Sequence, residues 1–70
     1  MKERRFSKLR GRLAEFGMSQ AALSRQLGMT QASVFNKFAG NTAFTVRDIE
    51  KICDILQIPQ DKIGYYFFEH

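Results

Sequence analysis

The sequence is poor in the features that stabilise or activate a small protein by means other than packing. Among its 70 residues there is one cysteine, Cys53, and one histidine, His70. A lone cysteine closes no intrachain disulfide, and one cysteine with one histidine falls short of a structural zinc site. No Ser/His/Asp or Cys/His set, no metal-ligand cluster and no glycine-rich phosphate loop is present. The expectation is a protein that is not an enzyme and uses no cofactor. No apolar run approaches the roughly 20 residues that cross a bilayer. The basic stretch Met1–Phe6 leads into charged sequence, unlike a signal peptide. With a cysteine usage suited to a reducing compartment, a soluble cytoplasmic protein with no membrane partner is expected. One proline, no internal repeat and no clear strand alternation leave helices as the element of choice.

Seventy residues make one domain. A chain this short buries only about 60% of the surface its unfolded form exposes. Stability must come from tight helix packing, with oligomerisation as a reinforcement.

Charge is present but unevenly placed. Residues 1–42 carry eight Lys and Arg (Lys2, Arg4, Arg5, Lys8, Arg10, Arg12, Arg25, Lys37) against Glu3 and Glu15, a balance of +6. Residues 43–70 carry Arg47, Lys51 and Lys62 against five acids, a balance of −2. One basic portion beside a mildly acidic one suggests a surface made for a polyanion.

Apolar spacing predicts five helices. Helix 1 spans about 5–16, with Phe6, Leu9, Leu13 and Phe16 on one stripe and Gly17 as its stop. Helix 2, about 19–27, starts at Ser19 and ends at Gly28; helix 3, about 30–39, starts at Thr30 and ends at Gly40. Asn41–Phe44 reads as a loop. Thr45 with Asp48 resembles a capping box for helix 4, about 45–56, whose inner face is Val46, Ile49, Ile52, Cys53 and Leu56. Pro59 suits the first turn of a fifth helix, about 59–66.

The informative stretch is Gln20–Phe38, QAALSRQLGMTQASVFNKF. Its two helices are joined by only Gly28, Met29 and Thr30. A turn that short between steeply crossing helices needs a residue tolerant of positive φ, which Gly28 supplies. It needs a small residue at the closest approach, which Ser24 supplies, and an apolar lock from Leu23, Leu27, Met29 and Val34.

With Gln20, Leu23–Ser24, Gly28 and Val34 at these positions, residues 6–66 resemble the lambda-repressor-like (Cro/repressor) helix-turn-helix family. The wider sequence is similar to small Cro-like and modulator-of-repression proteins of temperate phages of Gram-positive bacteria. Ser24 stands where alanine is commoner, and Lys37 where many members bury an aliphatic. The resemblance implies an all-α lambda-repressor-like bundle in a bacterial host cell, with helix 3 in the major groove of double-stranded DNA. It implies base contacts from Gln31, Ala32, Phe35 and Asn36: the two carboxamides to adenine, Ala32 or Phe35 to a thymine methyl. Gln20 is expected to hold a phosphate and brace Gln31, and Lys37, Asn41, Thr42 and the Gly40 amide to meet phosphates. Phe35 also reads as a half-buried edge residue. The basic run on helix 1 reads as a solvated face in which Lys8 and Arg10 are phosphate neighbours. Cys53 reads as core.

Tyr65, Tyr66, Phe67 and Phe68 form the second informative feature. Four consecutive aromatics exceed what so small a core accepts, which points to a protein interface, the alternative being Phe67 or Phe68 folding back onto helices 1 and 5. The function expected is that of a transcriptional regulator binding a near-palindromic operator as a homodimer, its two reading helices about 34 Å apart. The alternative is an antirepressor or modulator that binds a partner phage repressor.

Overall fold

The three helices of the middle of the chain each begin where a side chain can satisfy an N–H group that no earlier turn reaches. The computed structural model describes residues 5–68; Lys2, Glu3, Arg4, Glu69 and His70 of the sequence reading lie outside them. The elements are α1 (Ser7–Glu15), α2 (Gln20–Leu27), α3 (Gln31–Ala39), α4 (Val46–Leu56), a 3-10 turn (Gln60–Lys62) and α5 (Ile63–Phe67). There is no strand among the described residues. The described residues fold as an all-α bundle of five helices.

Ser19 Oγ accepts from the Ala22 N–H at 3.0 Å and Thr30 Oγ1 from the Ser33 N–H at 3.1 Å. Thr45 and Asp48 form the reciprocal box: Thr45 Oγ1 accepts from Asp48 N–H at 3.1 Å, and Asp48 Oδ2 accepts from Thr45 N–H at 3.0 Å. Each such cap is worth about 1 kcal/mol. Gly28 and Gly40 close α2 and α3 in the left-handed region, at φ 69° and 86°. Gln57 closes α4 in the same region at φ 54° without being glycine. Ile58 holds it there: its N–H donates to the Cys53 carbonyl at 2.9 Å, and its side chain is buried.

The core is built from pairs one helical turn apart: Leu9 and Leu13, Leu23 and Leu27, Val34 and Phe38, Ile52 and Leu56. Ile58 and Phe67 complete it. Phe44, expected in an open loop, is instead a hub: its ring meets those of Phe6, Phe38 and Phe67 edge-on at 5.1, 5.5 and 5.4 Å. These contacts bury loop and tail together, and edge-to-face aromatic pairs add about 0.5–1.5 kcal/mol each beyond area burial.

Two residues expected inside are outside. Val46 is 74% exposed, because it lies about 100° around α4 from the Ile52–Leu56 midline. Phe16 lies past the end of α1 on the surface, under the Arg12 guanidinium at 5.1 Å.

The basic run on α1 is not simply a solvated face. Arg12 donates to the carbonyls of Leu56 and Gln57, both at 2.9 Å. Arg10 donates to the carbonyl of Phe38 at 3.2 Å and lies over its ring. Both guanidiniums therefore sit at helix C-termini, where orphan carbonyls and the helix dipole favour a cation. They clamp α1 to the ends of α4 and α3.

Candidate nucleic-acid interface

The α2–α3 pair fixes the geometry of the exposed site. Gly28 turns the chain, and the Met29 N–H bonds back to the Ser24 carbonyl at 2.9 Å. Ser24 is buried to 1% exposure, with its hydroxyl donating to the Ala21 carbonyl at 2.6 Å. A larger side chain there would push the two helices apart. The tight junction brings the N-terminal turns of both helices to one shallow depression of about 300 Å³, lined by Gln20, Ala21, Gln31, Ala32 and Phe35.

Gln31, Ala32 and Phe35 are exposed, and Phe35 keeps 63% of its surface. It is not the half-buried edge residue that helical spacing left open. Neither Gln20 nor Gln31 has a side-chain hydrogen bond among the described residues, so the bracing bond expected between them is not formed. Both residues line the same depression, Gln31 exposed and Gln20 half-buried. Asn36 is half-buried and tied to the loop: its Oδ1 accepts from Asn41 Nδ2 at 3.2 Å, and its carbonyl accepts from the N–H groups of Asn41 and Thr42. Asn36 and Asn41 thus act as one unit at the end of α3.

Two expected phosphate contacts are corrected. Lys37 is buried, with 9% exposure; its Nζ bonds to Asp48 Oδ2 at 3.0 Å and to the Ala43 carbonyl at 2.9 Å. On the helix wheel it lies about 60° from Val34, on the core side, so its ammonium staples α3 to the start of α4. The Gly40 N–H donates to the Lys37 carbonyl at 3.2 Å and closes the helix. The Arg5 side chain also crosses Gly40 so closely that an added Cβ would lie 2.5 Å from Arg5 Cδ. Asn41 and Thr42 remain exposed.

Asp48 is shaped by this staple. Burial opposes its ionisation, but the Thr45 backbone N–H, the Lys37 ammonium and the Thr45 hydroxyl outweigh burial and hold its carboxyl below the ordinary value. Burial, aided by neighbouring Asp54, pushes the Cys53 thiol up, so it is protonated near neutral pH and a poor nucleophile. No group of three metal-ligating side chains occurs among the described residues.

Three residues lie outside the expected set. Ala21 lines the depression from α2. Arg25 and Arg47 are exposed with no ion pair among the described residues. Arg47 stands in the first turn of α4, directly after the loop that holds Asn41 and Thr42. Its signal was its place on the wheel, opposite the Ile52–Leu56 stripe.

The aromatic tail divides. Phe67 is buried and Tyr66 packs against the core, which removes both from an open interface; α5 turns about 100° per residue, so four consecutive rings face different ways. Tyr65 and Phe68 stay exposed, at 43% and 68%. Lys8 and Lys62 lie over the Tyr65 ring at 4.9 and 5.9 Å, which places Lys8 against α5. Phe6, Ala43, Phe44, Ile49, Phe67 and Phe68 line an apolar groove of about 240 Å³. No described helix is long and apolar enough to cross a membrane.

A family model described as "Protein of unknown function (DUF739)" matches residues 4–70. No curated protein matches the chain. The chain belongs to the DUF739 family.

Proposed function

For this DUF739 protein, we propose sequence-selective binding of double-stranded DNA by a transcriptional regulator of the phage Cro/repressor type, with α3 in the major groove. The observation that carries the reading is the shared depression at the start of α2 and α3, lined by half-buried Gln20 and by Gln31 and Phe35, which stand exposed. Gln31 is the principal base reader, because its carboxamide matches the donor and acceptor of adenine. Asn41, Thr42 and Arg47 are the phosphate contacts that follow α3, and Gln20 with the first N–H groups of α2 meets the backbone on the other side. Arg47 takes the role that Lys37, spent on Asp48, does not fill.

The protein acts as a homodimer on a near-palindromic operator in the cytoplasm of a bacterial host. Phe68 and the neighbouring apolar groove are the surface offered to the second copy. The same surface supports a second reading: a modulator that docks on a partner phage repressor.

The test is a binding titration against duplexes selected from random sequence, at about 0.05 and 0.2 M salt, with and without the partner repressor. Selective binding that weakens at the higher salt is the expected outcome. No duplex binding alone, with tight capture of the repressor, overturns the DNA reading in favour of the modulator.

A further inference from the structure

We propose that Arg5, held across the end of α3 from the segment before α1, binds a backbone phosphodiester beside the α3–α4 loop. The inference rests on the DNA-binding reading above and adds a residue to its site.

The start of the loop is poorly equipped to hold an anion by itself. Its first three N–H groups turn inward: Gly40 donates to the Lys37 carbonyl, and Asn41 and Thr42 both donate to the Asn36 carbonyl. Lys37, the cation that precedes it, is buried on Asp48. Asn41 and Thr42 offer neutral side chains only. Arg5 supplies the missing charge. Its side chain lies across Gly40, where an added Cβ would come within 2.5 Å of Arg5 Cδ and 2.6 Å of Nε. Glycine serves there twice, for the left-handed φ of 86° and for this crossing.

The placement of Arg5 is built by its neighbours. Phe6 turns the chain in the left-handed region at φ 56°, with its ring edge-on to those of Phe38 and Phe44. Arg10 Nε donates to the Arg5 carbonyl at 2.8 Å, while Arg10 Nη2 donates to the Phe38 carbonyl. Arg10 thus ties the Arg5 backbone to the last turn of α3. The Arg5 guanidinium has no hydrogen bond or ion pair among the described residues, and the residue is exposed. A guanidinium presents paired N–H donors in a fork that matches two phosphate oxygens.

The test counts phosphates and then locates one. The full chain, Arg5→Gln and Arg5→Lys are titrated with a duplex selected from random sequence and with a scrambled one, at about 0.05 and 0.2 M salt. Arg5→Gln should bind both duplexes more weakly. One lost phosphate contact should flatten its salt slope by about 0.9, so that between the two salts the wild type gives up about 3.5-fold more affinity than the variant. Arg5→Lys should keep the slope, because the charge remains. The selected duplex is then resynthesised with one phosphate at a time replaced by an uncharged methylphosphonate. The wild type should lose affinity at one phosphate per half-site where Arg5→Gln loses none. Arg5 is exposed, so both variants fold, and their thermal midpoints by circular dichroism check this. An unchanged slope or an unchanged methylphosphonate profile in Arg5→Gln overturns the assignment while DNA binding stands. If the wild type binds no duplex at all, the DNA reading itself is overturned, and the assignment of Arg5 falls with it.

Discussion

Lys37 and Asp48 show how one ion pair is diverted from a ligand to the fold. The pair is nearly out of solvent, and each partner holds a second bond, to the Ala43 carbonyl and the Thr45 N–H. Removing the ammonium leaves a largely buried carboxylate without its counterion, which costs about 2 kcal/mol for a pair at this depth. Lys37→Met should therefore lower the urea midpoint and leave the salt dependence of DNA binding unchanged. A flatter salt slope at unchanged stability would return Lys37 to the DNA surface. The pH dependence has a definite sign. Asp48 titrates lower in the folded chain than in the unfolded one, so its contribution is full above the ordinary carboxylate value, near 4. It is lost as pH falls through the lowered folded value. Urea unfolding from about pH 6 down to about pH 2 should show a steeper fall for the wild type than for Asp48→Asn. Parallel curves would mean that Asp48 is not held down by this network.

At the scale of elements, the caps and the core stripes were legible in the sequence because each is a local pattern. Ser19, Thr30 and the Thr45–Asp48 box start α2, α3 and α4 as their chemistry requires, and Gly28 and Gly40 end the first two of these helices. What escaped is what only tertiary contact decides. Gln57 gives no hint of a left-handed stop, since Ile58 imposes it by burial. Phe44 looks like loop until Phe6, Phe38 and Phe67 converge on it from three parts of the chain. Arg10 and Arg12 look like solvated charge until the ends of α3 and α4 arrive beside them. Arg12 gives a sharp test, because its two bonds to carbonyls, beside a third to Glu15, need a planar fork with fixed donors. Arg12→Ala should lower stability by about 1–2 kcal/mol in thermal or urea unfolding, and Arg12→Lys should recover only part of it. Full recovery by lysine would reduce the clamp to a charge effect.

For the whole molecule, the division of charge and the division of surfaces run together. The basic portion of the chain, residues 1–42, contains α2, α3 and the depression between their first turns. The mildly acidic portion contains α4 and α5, with exposed Phe68 and its groove. Of the expected site, the placement of Gln20, Gln31, Ala32 and Phe35 was legible, because a short glycine turn constrains how two helices meet. Of the residues expected at phosphates, Asn41 and Thr42 are exposed, whereas Lys37 lies on the core side of α3. Arg47, exposed at the start of α4, sits in the acidic portion of the sequence. On the proposed reading, nucleic acid meets one surface and protein the other.

That assignment can be read directly from the amide spectrum of isotopically labelled protein titrated with a duplex carrying a single half-site, so that only one copy binds. Shifts are expected to concentrate at Gln20–Ala22, Gln31–Asn36, Asn41, Thr42 and Arg47, growing as salt is lowered, with Phe44, Tyr65 and Phe68 unmoved. Shifts confined to the groove of Phe44, Ile49 and Phe68, or no shifts at any salt, would contradict it.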